Sequence, residues 1–336
     1  MVGVMRFDNA FTRHVGVDVP LICGAMYPCS NPELVAAVSA AGGIGIVQPI
    51  SLTYVHGHDF REGLRFIRRI TDRPIGFNAL IEASSKVYLD RMYKWVDIAL
   101  EEGVRFFITA LGNPQEVVDR VHAAGGVVYH DVTERKWADK AMKAGVDGLI
   151  CVNARAGGHA GTRPPGELVA QLGDVGVPLV CAGGIGGPDQ FIDALDMGYA
   201  AVQLGTRFIA TEECKAHADY KRAIVEAKAE DIVLTERLSG VPVAVIATDF
   251  IKKTGTKAGF IARRLLRHPR AKHWVRTYYS LRSLVQLKRA SLEGTAYRDY
   301  FQAGKSVDSI DGILPAGEVV RRFAEALQER GAAVAS

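Results

Sequence analysis

Short apolar runs rich in Val and Ile alternate along this chain with longer stretches whose apolar residues recur at helical spacing. That alternation predicts repeated βα units, and so a parallel sheet covered by helices. Eight runs qualify as strands: Pro20 to Met26, Gly43 to Pro49, Pro74 to Ile81, Arg105 to Leu111, Gly126 to Val132, Gly148 to Asn153, Pro178 to Gly184 and Ala200 to Thr206. Their near-continuous apolar character fits strands buried on both faces. Among the helices, Pro32 to Ala41 follows Asn31 as its cap, and Lys86 to Glu102 ends before Gly103. Gly103, Gly125, Gly145 and Gly198 each separate a helix from the next strand, and Gly42-Gly43 reads as another tight helix-to-strand turn. Such regularity predicts an α/β fold of the (β/α)8 TIM barrel type, with a doubly wound sheet as the alternative.

After Thr206 the rhythm breaks. Cys214 to Ala229 reads as a helix, and Glu230 to Phe301 carries helical patterns without a paired strand for each. The final periodic segment, Ala316 to Gln328, can return to the barrel as its eighth covering helix. The predicted organisation is a barrel from residues 1–214 and 305–336, with a mostly helical substrate or lid domain, 215–304, inserted before the C-terminal helix. At 336 residues the chain accommodates a barrel of ~250 residues plus such an insertion.

Composition narrows the classes. With 48% hydrophobic and 23% charged residues the chain is of globular type, and no apolar run reaches the ~18 residues of an integral membrane segment. Arg6, Asp8, Arg13 and His14 interrupt the N-terminal apolar residues, so a cytoplasmic protein is expected. The five cysteines are odd in number and lack a C-x-x-C pair, which argues against a disulfide framework or a metal site.

In a barrel of this kind the chemistry sits at the C-terminal ends of the strands. Strand 7 ends in Ala182-Gly183-Gly184 and strand 8 in Gly205-Thr206. Either turn alone is explained by ordinary strand-to-helix geometry; the two on adjacent strands favour a phosphorylated cofactor held by backbone N–H groups. Strand 6 runs into Asn153-Ala154-Arg155-Ala156-Gly157-Gly158-His159-Ala160-Gly161. Gly157 and Gly158 let backbone and imidazole approach a flat ligand, and a histidine flanked by glycines there has little packing role. His159 is therefore the candidate catalytic acid-base residue, its ordinary pKa near 6.5 suiting proton transfer at neutral pH.

The blocks Ala156-Gly157-Gly158-His159-Ala160-Gly161, Ala182-Gly183-Gly184-Ile185 and Gln203-Leu204-Gly205-Thr206-Arg207-Phe208 resemble the signatures of the nitronate monooxygenase (2-nitropropane dioxygenase) family, which also contains the FMN-dependent enoyl reductase II enzymes. Gly24-Ala25-Met26 and Gly76-Phe77-Asn78 support the resemblance. It implies FMN across the barrel mouth, with the ring against Ala25 and Met26, Asn78 nearby, and the phosphate on Gly183, Gly184, Gly205 and Thr206. His159 would face the substrate. His130 or Asp131 stands where some relatives carry a lysine that contacts the flavin, and Gln302, Gly304 and Ser306 resemble a late loop closing over the ring.

The resemblance leaves two reactions open: oxidation of an alkyl nitronate with oxygen, or hydride transfer from NADH or NADPH to an unsaturated acyl thioester of CoA or a carrier protein. Residues 252–289 hold twelve Lys and Arg and no Asp or Glu, interleaved with Trp274, Tyr278 and Tyr279. A field of that sign gathers polyanions, which favours the thioester. A solvated helix face, peripheral membrane contact and a non-enzymatic flavin-binding scaffold are competing readings; nucleic acid lacks any accompanying motif, and a homodimer is left open.

Overall fold

The computed structural model describes residues 7–82, 85–238, 240–257, 272–293 and 300–335. Eight parallel strands close into a barrel: β1 Leu21–Cys23, β2 Ile44–Val47, β3 Gly76–Leu80, β4 Phe106–Ala110, β5 Val127–Val132, β6 Gly148–Val152, β7 Leu179–Ala182 and β8 Ala201–Leu204. Every strand pairs with its sequence neighbours, and β8 pairs with β1, which excludes the doubly wound alternative. The strands are shorter than the apolar runs suggest. Gly24, Ala25 and Met26, like Gly183 and Gly184, leave the ladder and become turns at the mouth.

The covering helices follow in order: α1 Ala10–Val15, α2 Pro32–Ala40, α3 Phe60–Ile70, α4 Lys86–Glu101, α5 Gln115–Ala123, α6 Arg135–Lys143, α7 Pro165–Leu172, α8 Pro188–Asp196, then the short α9 Thr206–Ile209. The left-handed glycines Gly42, Gly103, Gly125, Gly145 and Gly198 end α2, α4, α5, α6 and α8. Asn31 precedes α2 but makes no side-chain cap bond. Its amide instead reaches Glu33 (2.8 Å), the Glu213 carbonyl (2.9 Å) and the Lys215 N–H (3.1 Å), tying the β1 loop to the chain beyond β8.

Inside the barrel the side chains stack in layers of four from alternate strands, as the parallel registers require. Ile22, Gly76, Tyr129 and Val180 share one layer; Ile46, Ile108, Ile150 and Gln203 form the next; Gly24, Asn78, Asp131 and Ala182 lie nearest the mouth. α1 plugs the opposite end: Phe11 meets Phe106 and Tyr129 edge-on, and the His14 Nδ1 lies 3.1 Å from the Tyr129 hydroxyl.

Beyond β8 the predicted long helix from Cys214 is α10, Ala218–Glu226 only. The following segment is not purely helical. β9 Ile232–Thr235 and β10 Val243–Ile246 form an antiparallel hairpin, whose four-residue runs are too short to stand out by periodicity from the helical patterns around them. α11 Asp249–Thr254 and a helix over Lys272–Leu292 complete the described insertion; its own core joins Leu238, Val243, Val245, Ile251, Leu287 and Tyr300. The C-terminal helix Ala316–Ala335 packs between α8 and α2. No helix among the described residues is long and apolar enough to cross a membrane, and all five cysteines are free and buried.

A Cβ on Gly148 would lie 2.3 Å from the Tyr129 ring, which Phe11 and Phe106 prevent from moving. Gly148→Ala is expected to cost about 1–3 kcal/mol through overpacking. A drop in the urea midpoint at unchanged slope would report it.

Candidate active site at the barrel mouth

The loop after β6 is built around Asn153, which is fully buried. Its Oδ1 accepts from the Arg155 N–H (2.8 Å), its Nδ2 donates to the Gly183 carbonyl (2.9 Å), and its backbone carbonyl accepts from Ala156 (3.2 Å) and Gly161 (3.2 Å). One amide therefore folds the His159 loop and fastens it to the turn after β7. Gly183 and Gly184 carry φ of 119° and 84°, and Cβ atoms there would come within 2.5 Å of the Ala156 nitrogen and 2.6 Å of the Arg155 Nε. Glycine is required at both positions for this close packing as well as for any ligand above it.

Two remote segments close on the same loop. The Gly158 carbonyl accepts from the Ala244 N–H of β10 (2.7 Å), and the Arg155 carbonyl accepts from the Lys305 N–H (2.9 Å). Gly157 and Gly304 face each other so closely that a Cβ on Gly304 would lie 2.7 Å from the Gly157 nitrogen. The Gly304 N–H donates to Thr206 Oγ1 (3.0 Å), Val245 bridges Gln302, and the Tyr220 hydroxyl donates to the Gln302 carbonyl. His159 is left exposed at the tip while the surrounding protein lowers its pKa by desolvation, so the imidazole is neutral at pH 7.

The structure brings most of the predicted site residues together. Asn78, Asp131 and Ala182 share the mouth layer with Gly24; Ala25 and Met26 follow Gly24, and Gly205 and Thr206 follow β8 beside them. Gly157, Gly158 and Gln302 stand on the two segments that flank His159. His130 is the exception. Strand alternation turns it away from the barrel interior, where it is buried with Nδ1 2.8 Å from Thr109 Oγ1, and burial depresses its pKa to about 4. Asp131 points inward; burial raises its carboxyl to about 7, and its Oδ1 is enclosed without a hydrogen-bond partner.

Gln203 and Asn153 escaped the sequence reading as site residues. Gln203 lies in the layer beneath Gly24, whose missing side chain leaves it room, and its Oε1 is also enclosed and unpartnered. A glutamine at an inward position of an otherwise apolar strand was the available signal. Of the basic stretch, Arg263, Arg264, Arg267 and Arg270 fall outside the described residues; Lys252, Lys253, Lys257, Arg282 and Arg289 are exposed. The described residues contain no group of three or more His, Cys, Asp or Glu placed to hold a metal ion.

The family model described as nitronate monooxygenase matches residues 9–325. A Mycobacterium tuberculosis protein named (3aS,4S,5R,7aS)-5-hydroxy-7a-methyl-1-oxo-octahydro-1H-indene-4-carboxyl-CoA dehydrogenase is 26% identical over 94% of this chain and 95% of its own. A probable nitronate monooxygenase of Staphylococcus saprophyticus is 27% identical over 74% of this chain and 81% of its own. The solved structure of FabK from Thermotoga maritima superposes with a TM-score of 0.81 at 27% identity, covering 98% of both chains.

The enclosed Asp131 carboxyl makes a pH-dependent contribution to stability with a definite sign. Its folded pKa is raised, so that contribution is present below the unfolded value of about 4 and is lost as pH rises towards about 7. Asp131→Asn should therefore gain on the wild-type protein as pH rises from 4 to 7. Urea unfolding at several pH values would show a flat difference if the carboxyl titrates normally.

Proposed function

Because this chain belongs to the nitronate monooxygenase family of oxidoreductases, we propose that it is an FMN-dependent enzyme acting on an acyl thioester, with NADH or NADPH as its electron-transfer partner. The observation that carries the reading is the layer of side chains at the mouth: two small residues, Gly24 and Ala182, beside two polar ones, Asn78 and Asp131. A floor of that shape suits a flat polar ring. The unpartnered Asp131 and Gln203 oxygens are groups such a ring would satisfy, since buried polar atoms ordinarily find partners. Backbone N–H groups of Gly183, Gly184, Gly205 and Thr206 suit the phosphate, the last two at the start of α9.

FMN, when bound there, supplies hydride transfer between a nicotinamide nucleotide and the carbon skeleton of the substrate. The remaining work falls to the protein. Ala25, Met26 and Asn78 position the ring, the backbone of Gly157 and Gly158 permits close approach, and Gln302 covers the site from the late loop. His159 moves the proton: its neutral imidazole would accept one from a saturated substrate as that substrate is oxidised, and its protonated form would deliver one to the enolate left when an unsaturated thioester is reduced. Since desolvation holds the pKa below its ordinary value, the reductive direction should begin to slow at a pH below that of an ordinary histidine as pH rises, and the oxidative direction should not slow.

The thioester is favoured by the CoA dehydrogenase name of a relative aligned over nearly the whole chain, and by the exposed cations of the insertion, which suit the phosphates of CoA. Nitronate oxidation is the second reading, favoured by the staphylococcal relative.

His159→Ala is expected to keep FMN bound while slowing turnover by ~10²- to 10⁴-fold. The reaction itself is tested by anaerobic stopped-flow spectroscopy of the flavin band at ~450 nm. Bleaching by NADH or NADPH, reversed by an enoyl thioester, is the expected result; bleaching only by propyl-2-nitronate would replace the thioester with the nitronate.

A further inference from the structure

On the β6 to β8 side the barrel mouth is crossed by β10 and the 302–305 segment. After β2, β3 and β4 the chain exposes large apolar side chains at the strand ends: Tyr54 is 58% exposed, Val87 72% and Leu111 57%. Tyr54 sits in a π-helical turn, Ser51–Val55. The Arg91 guanidinium lies 5.9 Å over its ring, and Val87 stands one helical turn from Arg91 on α4. Leu111 leaves β4 beside the end of β3, from which the chain runs on to α4.

Leu111 is the non-glycine residue with positive φ, 61°, among the described residues. The turn itself is imposed by its neighbours. The Ile81 N–H donates to the Ala110 carbonyl (2.9 Å), Gly112 seats against Ile81 so closely that a Cβ would lie 2.6 Å from the Ile81 carbonyl oxygen, and α5 begins at Gln115. Glycine would make this turn without strain, whereas leucine pays a steric penalty there and buries little of its side chain. A strained apolar residue exposed at the edge of a binding mouth contributes nothing to the core, which points to a role towards a ligand.

We propose that Leu111, with Val87 and Tyr54, forms the rim that receives the apolar acyl portion of the substrate and selects it by size. The proposal rests on the thioester reading above. A CoA thioester is anionic at one end and apolar at the other, and the exposed apolar groups after β2 to β4 suit its apolar end. A small alkyl nitronate has no group that would need such a rim.

The test uses the oxidised holoenzyme and titration calorimetry with crotonyl-CoA and a bulky, dodecenoyl-CoA. Leu111→Gly should raise the melting temperature by about 2 °C as the strain is released. It should also weaken dodecenoyl-CoA roughly tenfold through lost apolar contact while crotonyl-CoA changes less than about twofold. Leu111→Ser should weaken dodecenoyl-CoA similarly without the thermal gain. If the wild-type protein binds both thioesters and the variants weaken both equally or neither, the rim is overturned while the thioester reading stands. Failure of the wild-type protein to bind either would sink the thioester reading and the acyl occupant with it. Sedimentation of Leu111→Ser as a smaller species than wild type, with thioester binding unchanged, would assign the rim to a second copy of the chain instead.

Discussion

At the mouth of the barrel the loop after β6 is held by close backbone approach to two segments that arrive much later in the chain. Gly157 packs on Gly304, Gly158 pairs with Ala244, and Arg155 pairs with Lys305. Each contact requires the absence of a side chain or the presence of a free backbone group. Together they fix a loop that is otherwise shaped by Asn153 and by local bonds such as the Ala154 N–H to the Arg163 carbonyl (2.8 Å). His159 sits at the tip of that loop, so its placement depends on how β10 and the late loop dock. A β6 loop held only from within the barrel would have the mobility expected of a glycine-rich connection.

Eight βα units were legible because the strands are largely apolar and five of the covering helices, α2, α4, α5, α6 and α8, end at a left-handed glycine; both signals arise from local physics, burial on two faces and left-handed turns. The hairpin of the insertion was not, because its strands are short and gain their order from pairing with Gly158 and Gln302, contacts distant in sequence. The site shows the same division. Glycine and histidine at strand ends could be read directly. That His130 turns outward and Asp131 inward needed the strand parity, and the part played by Asn153 needed its carboxamide partners across the β6 and β7 loops.

Polarity inside the barrel rises layer by layer towards the mouth. The layer of Ile22, Gly76, Tyr129 and Val180 has the Tyr129 hydroxyl as its polar group, and that reaches His14 at the plugged end. One layer higher Gln203 enters among three isoleucines, and the next brings Asn78 and Asp131. Enclosed oxygens without partners are costly, of the order of 1–3 kcal/mol each for a neutral group, so a fold that keeps two of them at its open end is balanced for a state in which something else fills the mouth. Asp131 reduces that cost by retaining its proton up to about pH 7.

The chemistry of the mouth also explains why the insertion falls between β8 and the last helix. A barrel closes only when β8 meets β1, and Asn31 already links the β1 loop to Glu213 and Lys215 just beyond that closure. Chain inserted there leaves the barrel at the mouth and can fold back over β6 to β8 without crossing the strands. It returns through Gln302 to Lys305 along the His159 loop and then descends as the helix that seals α8 against α2. Covering of the His159 loop and completion of the barrel wall are thus consecutive steps of one chain path. A change in the docking of the 302–305 segment would be felt directly at the His159 loop, because Gly304 meets Gly157 and Thr206, while the C-terminal helix is anchored separately through Glu213 and the Ala316 N–H (2.7 Å).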